Sequence, residues 1–360
     1  MRFLQIATFY PQYLTGFYRA RPGLASRSYM EQFSTLLADG FNCAHMLAPD
    51  MTPLGYASTL IIANALSLQQ AWAREHGFPI PAVEADLPSL VRAQIRHYQP
   101  DILYLLDSIT HDARFLATVD WQPSLILGWR AATIPVGTDW RGFDILLSSD
   151  AGCRATALVL GARRSAYFLP GIPVGHAASL GPAAAGKPDI IFCGHLTREH
   201  AGRVSMLDAV AKEAQRQGWC MRIHAAAPGV VLPPVLADML APPLFGIDMY
   251  RALRDASVCL NNHIDVLGGR GQNMRVFEAT GSGACLLTEE DPDLSALFVA
   301  GREVATFQSD EELLEQITWY LDHSQARDLL ARQGLERCQR DHGRPGRARW
   351  LDRLIRDAMR

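Results

Sequence analysis

The residues best placed to do chemistry lie between Leu267 and Glu290, in the stretch LGGRGQNMRVFEATGSGACLLTEE. Three glycines fall within its first five residues, Arg270 and Arg275 supply charge, and Glu278 stands inside a run of helical character. Glycines let backbone N–H groups approach a ligand closely. The N-terminus of a following helix is worth ~0.3–1 kcal/mol to an anion. Two guanidinium groups add charge-assisted, bidentate contacts that suit phosphate. A carboxylate about one turn into the helix cannot favour phosphate, but it can accept two hydrogen bonds from a ribose diol. Phosphate at the helix start, near Asn273, and ribose beside Glu278 together make a nucleoside-diphosphate site. The competing reading is an ordinary turn with Glu278 in solvent. The stretch does not fit G-x-G-x-x-G, since residue 274 is Met, and it does not fit a P-loop, since no G-K-[ST] occurs. The first strand leads into TFYPQY where a dinucleotide fingerprint would stand, so a dinucleotide-dependent oxidoreductase is a poor fit.

Other candidates are more scattered. His263, in NNHID at the end of a strand, could hydrogen-bond a diphosphate, or could simply cap the strand. In LYLLDSITHD, Asp107 ends a buried strand and His111 follows four residues later. Such a pair could deprotonate an acceptor hydroxyl, with Asp107 fixing the imidazole tautomer. Alternatively Asp107 caps the next helix and His111 is exposed. Tyr10, Tyr13 and Tyr18 follow the first strand and could shape a pocket or fill the core. Glu289 and Glu290 could bind sugar hydroxyls or merely lead a helix. Arg198 and Arg203 follow FCGHLT and could reach a diphosphate, or Arg203, inside an amphipathic run, could lie on the surface.

Short apolar runs alternate with amphipathic ones in both halves of the chain, which predicts two α/β domains with parallel sheets. In the first half RFLQIATF, DILYLLD, SLILGW and FDILLSSD read as strands. Ser26 or Ser28 caps a helix ended by Gly40. TLIIANALSLQQAWAREHG reads as one helix, and ADLPSLVRAQIRHYQPD as another, stopped at Pro100. The Gly-, Pro- and Ala-rich stretch after Ala166 reads as a last strand and a linker. In the second half DIIFCG, CMRIHAAAPG, SVCLNNHID and EVATF are strands, and the C-terminal stretch is helical with a break at Pro345. The expected domains are 1–170 and 187–340, with 341–360 a final helix. Sites in such sheets lie at the carboxyl ends of the strands.

Composition narrows the class. A chain of 360 residues with 49% hydrophobic and 20% charged residues can bury the cores of two domains. A net charge of −3 provides no field to attract nucleic acid. The arginines from Arg332 to Arg360 read as a solvated face, with contact to an anionic membrane surface as the second reading. Seven cysteines without a CxxC suggest a reducing compartment and no zinc site. No signal peptide or apolar run of membrane-spanning length is visible, so a cytoplasmic protein is expected.

The C-terminal half, about 187–342, also resembles a known family. NMRVFEATGSGACLLTEE, followed by LSALFVAGREVATFQSDEELLEQITWYL, is similar to the C-terminal signature of GT-B glycosyltransferases, and most of all to the CgeB-like spore-maturation group. The resemblance implies two Rossmann-like domains facing a central cleft, with the last helix crossing back to domain one. It implies a nucleotide-sugar donor in domain two, an acceptor of unknown identity in domain one, and no other cofactor. Glu278 matches the glutamate that binds the donor ribose, Asn273 and Arg275 match positions beside the diphosphate, and Gly194 matches the glycine after the first strand of domain two. LFGIDMY matches the segment that meets the base, so Phe245 and Ile247 could cover it. Many retaining relatives carry a second glutamate eight positions before the ribose-binding one. Here that position is Arg270, so the retaining mechanism does not carry over. No Asp-x-Asp motif stands out, so a metal-independent transfer is expected. An epimerase of the same fold and a non-catalytic nucleotide-sugar-binding module stay open as alternatives.

Overall fold

A computed structural model describes residues 1–183, 186–197, 201–262 and 274–360. They divide into two units, Met1–Leu169 with Arg344–Arg360, and Pro170–Gly343. In the first unit the short apolar runs become β1 (Arg2–Ala7), β2 (Ala57–Ile62), β3 (Ile102–Leu105), β4 (Leu125–Trp129), β5 (Ile145–Ser148) and β6 (Arg164–Tyr167). Their order is β2-β1-β3-β4-β5-β6, and every neighbouring pair is parallel. All four residues of β3 are buried, as a strand covered on both faces by helices requires.

The second unit repeats the scheme with β7 (Ile190–His195), β8 (Met221–Ala226), β9 (Leu240–Ala241), β10 (Val258–Asn261), β11 (Leu286–Glu289) and β12 (Ala305–Phe307). Its order, β12-β11-β10-β7-β8-β9, is again wholly parallel. The chain runs outward from β7 through β8 to β9, then returns to the other side of β7 with β10. The reversal between β7 and β10 is the topological switch point, where doubly wound sheets open a crevice at their carboxyl ends. In the first unit the corresponding reversal lies between β1 and β3.

Several local signals act as the sequence predicts. Ser28 forms a capping box with Glu31, and left-handed Gly40 ends that helix. One expectation fails. The run from Thr59 to Gly77 is not a single helix, because β2 takes its first part and a helix begins only at Leu66. The β-branched pair Ile61–Ile62 pairs with Ile6 and Ala7 of β1, so sheet pairing and strand propensity agree there. Part of the stretch read as linker is packed: Ile172 forms a bridge with Gly343, and the His176 ring meets Tyr250 edge-on.

The last helix, Arg344–Ala358, belongs to the first unit, where Tyr56 donates to Asp352 and Arg344 pairs with Asp50. The C-terminal arginines are laced with acids: Arg337 with Asp341, Arg340 with Asp341, Arg356 with Asp352 and Arg360 with Asp357. Among the described residues no helix is long and apolar enough to cross a membrane.

His45 gives the first unit an acid sensitivity. Its ring is buried 4.8 Å from that of Trp129, and Nδ1 has no hydrogen-bond partner among the described residues. Burial holds its pKa down at about 4, against ~6.5 for a free histidine. The unfolded chain therefore takes up a proton that the folded one excludes as pH falls from ~6.5 towards 4. Stability is full above that window and should fall by about 3 kcal/mol across it. Urea melts at pH 7, 5.5 and 4.5 should show this slope, and His45→Leu should reduce it, with buried His111, which burial also holds below the ordinary value, keeping a part.

Candidate nucleotide site at the second switch point

The ladder between β7 and β10 ends at the pair Phe192 and Leu260. Beyond it the strands part, β7 running on beside β8 to His195 and β10 pairing with β11 through Asn261 and Thr288. Backbone carbonyls left at such a divergence must find other donors. Two arginines supply them. Arg275 Nε donates to the Cys193 carbonyl at 3.2 Å. Arg203 Nη1 donates to the His195 carbonyl at 2.8 Å, and Nη2 and Nε donate to the carbonyl and Oδ1 of Asn262 at 3.1 and 2.6 Å.

Arg275 and Glu278 sit on the helix Met274–Ser282, whose residues from Val276 to Ser282 are all buried. Arg275 Nη1 lies 2.8 Å from Glu278 Oε2, with side-chain exposures of 16% and 7%. The competing solvent reading of Glu278 thus fails. Burial alone would lower the pKa of Arg275, but the Glu278 carboxylate outweighs it and holds the group above its ordinary value. Tyr250 OH approaches the other carboxylate oxygen, Oε1, at 3.5 Å, and Arg275 Nη1 also meets Met249 Sδ at 3.0 Å. Glu278 and the end of β7 are therefore joined through one guanidinium.

The GSG of this stretch has a packing role. A Cβ at Gly281 would lie 2.7 Å from Ile172 Cγ1. Gly283, at φ +88°, closes the helix: its N–H bonds the Thr280 carbonyl and that of Ala284 bonds the Ala279 carbonyl, the two bonds of a Schellman motif.

Gly194 is half-buried at the end of β7, and a Cβ there would meet the Phe192 ring at 2.8 Å. The next residue, His195, is exposed. Desolvation of the ring, then the guanidinium groups of Arg203 and Arg275, hold its imidazole below the ordinary value. His263, Arg270, Asn273 and Arg198 lie outside the described residues. Glu289 is half-buried at the end of β11, and Glu290 accepts from Gln308. Phe245 and Ile247, at the start of the Gly246–Asp255 helix, are also half-buried.

For Arg203 the surface reading fails. It is buried, with its guanidinium 5.5 Å from the Phe192 ring centroid, and does not lie on a surface. Helical periodicity could not reveal that the Ala201–Gln217 helix directs this side chain under two strand ends. For His195 and Asn262 a signal existed, since both stand beside positions already singled out at strand ends.

In the first unit, Thr8 Oγ1 donates to Asp107 Oδ2 at 2.7 Å across the reversal between β1 and β3. Asp107 Oδ1 accepts from the N–H groups of Ile109 and Thr110. Burial would raise this carboxyl, but bonds from Thr110 and Thr8 hold it below the ordinary range. His111 is buried rather than exposed, and its ring packs edge-on against Phe115. Its Nδ1 donates to the Asp107 carbonyl at 3.2 Å. Asp107 thus fixes the tautomer through its main chain, while its carboxylate serves the turn and Thr8. Tyr13 donates to Asp39, Tyr18 to Gln32, and Tyr10 is half-exposed against Phe41.

Comparison with solved structures places this architecture. A glycosyltransferase from Rickettsia africae superposes with a TM-score of 0.59 at 9% identity, covering 100% of this chain and 99% of that one. The HepE protein of Anabaena, in complex with UDP and glucose, gives 0.58 at 10% identity, covering 99% and 100%. The fold is GT-B. A Listeria monocytogenes structure assigned as a UDP-N-acetylglucosamine 2-epimerase is similar at a TM-score of 0.50 and 16% identity, covering 99% and 96%. Residues 203–352 match the model of a family described as glycosyl transferase-like. No curated protein matches the sequence. The family match begins at Arg203 and takes in Glu278, so it covers most of the GT-B unit that holds the paired carboxylate.

Proposed function

We propose that this GT-B chain is a glycosyltransferase that moves a sugar from a nucleoside diphosphate sugar to a hydroxyl-bearing acceptor. The observation that carries the reading is Glu278, a buried carboxylate locked by Arg275 beside the switch point of the second sheet. The HepE structure holds UDP and glucose on the same fold, which supports a nucleotide and a sugar as ligands here. In this reading Glu278 accepts from the ribose diol. Arg275 is the proposed cation for the diphosphate, and Arg270, Asn273 and His263, which lie outside the described residues, are proposed as further donors to it. The anomeric carbon–phosphate oxygen bond breaks, the acceptor hydroxyl oxygen bonds to that carbon as its proton passes to the Asp107–His111 pair, and negative charge gathers on the departing diphosphate, where cationic and N–H donors stabilise it. Gly194 lets the ligand approach the end of β7. Asp107, at the switch point of the first sheet, is the carboxylate proposed to meet the acceptor. The signature in the second half favours the CgeB-like group; a cytoplasmic protein is proposed from the cysteine usage, and a metal-independent transfer because no Asp-x-Asp metal motif stands out in a donor loop.

The epimerase reading draws on the Listeria structure. The two separate on product: a transferase releases nucleoside diphosphate in proportion to acceptor, whereas an epimerase needs no acceptor. The donor claim is tested by thermal shift with UDP, GDP, ADP, dTDP and their sugars. At 100 times the dissociation constant a ligand adds ~2.7 kcal/mol, a readily measured rise in melting temperature. Folded protein that shifts with none of them would overturn the proposal.

A further inference from the structure

We infer that Arg203 is a positioning residue for the diphosphate: it sets the separation of the β7 and β10 ends, and so the placing of Gly194–His195 and Asn262, without touching the ligand itself. The inference rests on the nucleotide-sugar reading of the same site. Three donors of one planar guanidinium reach three acceptors on two strands, the His195 carbonyl on one side and the carbonyl and Oδ1 of Asn262 on the other. The strands are no longer paired to each other there, so this fork replaces the missing ladder. The Phe192 ring beside the guanidinium and the tight space over Gly194 fix it from a further side. The first sheet also carries a side-chain bond across its own reversal, from Thr8 to Asp107. Lysine keeps the charge but offers a point donor that cannot span both strands.

The role predicts a selective loss. A nucleoside monophosphate depends on the base and on Glu278, while a diphosphate also depends on the strand ends. Titration calorimetry of UDP and UMP into the unsubstituted protein, Arg203→Lys and Arg203→Met tests this; if another base binds more tightly, the matching diphosphate and monophosphate are used. Both variants should lose roughly tenfold or more in UDP affinity while UMP changes by less than about threefold. Asn262→Ala, which removes one acceptor and leaves Arg203 in place, should show the same selectivity at smaller size, and it decides the matter if the Arg203 variants do not fold. Equal loss for UDP and UMP, or restoration of UDP binding by Arg203→Lys, would overturn the inference alone. Absence of diphosphate binding by the unsubstituted protein would overturn the reading of the site together with it.

Discussion

Glu278→Ala should cost the second unit about 3 kcal/mol of stability in addition to its nucleotide affinity. The carboxylate is 7% exposed and pairs with an Arg275 that is itself only 16% exposed, so its removal leaves a buried charge without its counter-ion. Breaking such a pair from one side costs ~3–5 kcal/mol, and the partial exposure of Arg275 argues for the lower end. For a unit of this size that is a fall of roughly 6–12 °C in melting temperature. Glu278→Gln keeps the shape and one acceptor oxygen, so it should fall between the two. Adding Arg275→Met should recover part of the loss, because the stranded charge is then gone. Affinity must be compared at a temperature where every variant is folded. There the loss of a charged acceptor for the ribose diol should weaken nucleotide binding by about tenfold or more. A Glu278→Gln protein that melts normally and binds nucleoside diphosphate with unchanged affinity would remove the ribose assignment. An alanine variant with an unchanged melting temperature would remove the ion pair.

The importance of Glu278 could be read from the sequence, but its setting could not. A lone carboxylate in a helix after a glycine-rich loop is a local pattern, visible within a few residues. That the carboxylate is buried and shares Arg275 with the Cys193 carbonyl depends on a strand 82 positions away. Arg203 shows the same limit more sharply, since an amphipathic run records which face is apolar and not that an arginine in it answers carbonyls beyond the end of a ladder. The parallel strands were legible because burial on both faces demands continuous apolar residues, as in ILYL and VCLN. The β2 region was not, because its apolar run joins the following helix without a Gly or Pro between them. Glycines recur along this stretch, in the run before the helix and again in GSG at its end. Sequence alone does not distinguish a glycine needed for a ligand from one needed for a neighbouring side chain, and Gly281 is of the second kind, against Ile172.

A glycine of that second kind gives the other large effect. Gly334→Ala should destabilise the second unit by about 1–3 kcal/mol and weaken nucleotide binding, although alanine is the better helix former by ~1 kcal/mol. Gly334 is buried in the helix Ser324–Asp341, and a Cβ on it would stand 2.4 Å from the main-chain oxygen of Glu303 and 3.5 Å from Thr280 Cγ2. Backbone cannot rotate away as a side chain can, so the helix itself must retreat. It lies against the helix that carries Glu278, with Cys338 Sγ donating to the Phe277 carbonyl at 3.7 Å. A retreat therefore loosens the support of Thr280, two residues beyond the carboxylate. Gly346→Ala is the matched control. It too is helical, but the nearest atom its Cβ would meet is Arg349 Nη2 at 3.9 Å. There propensity should prevail, and stability should hold or rise by up to ~1 kcal/mol. Thermal melts of the two alanine variants should move in opposite directions, or at least separate by several degrees. If Gly334→Ala melts with Gly346→Ala and binds as tightly as the unsubstituted protein, the Ser324–Asp341 helix does not hold the Glu278 helix in place.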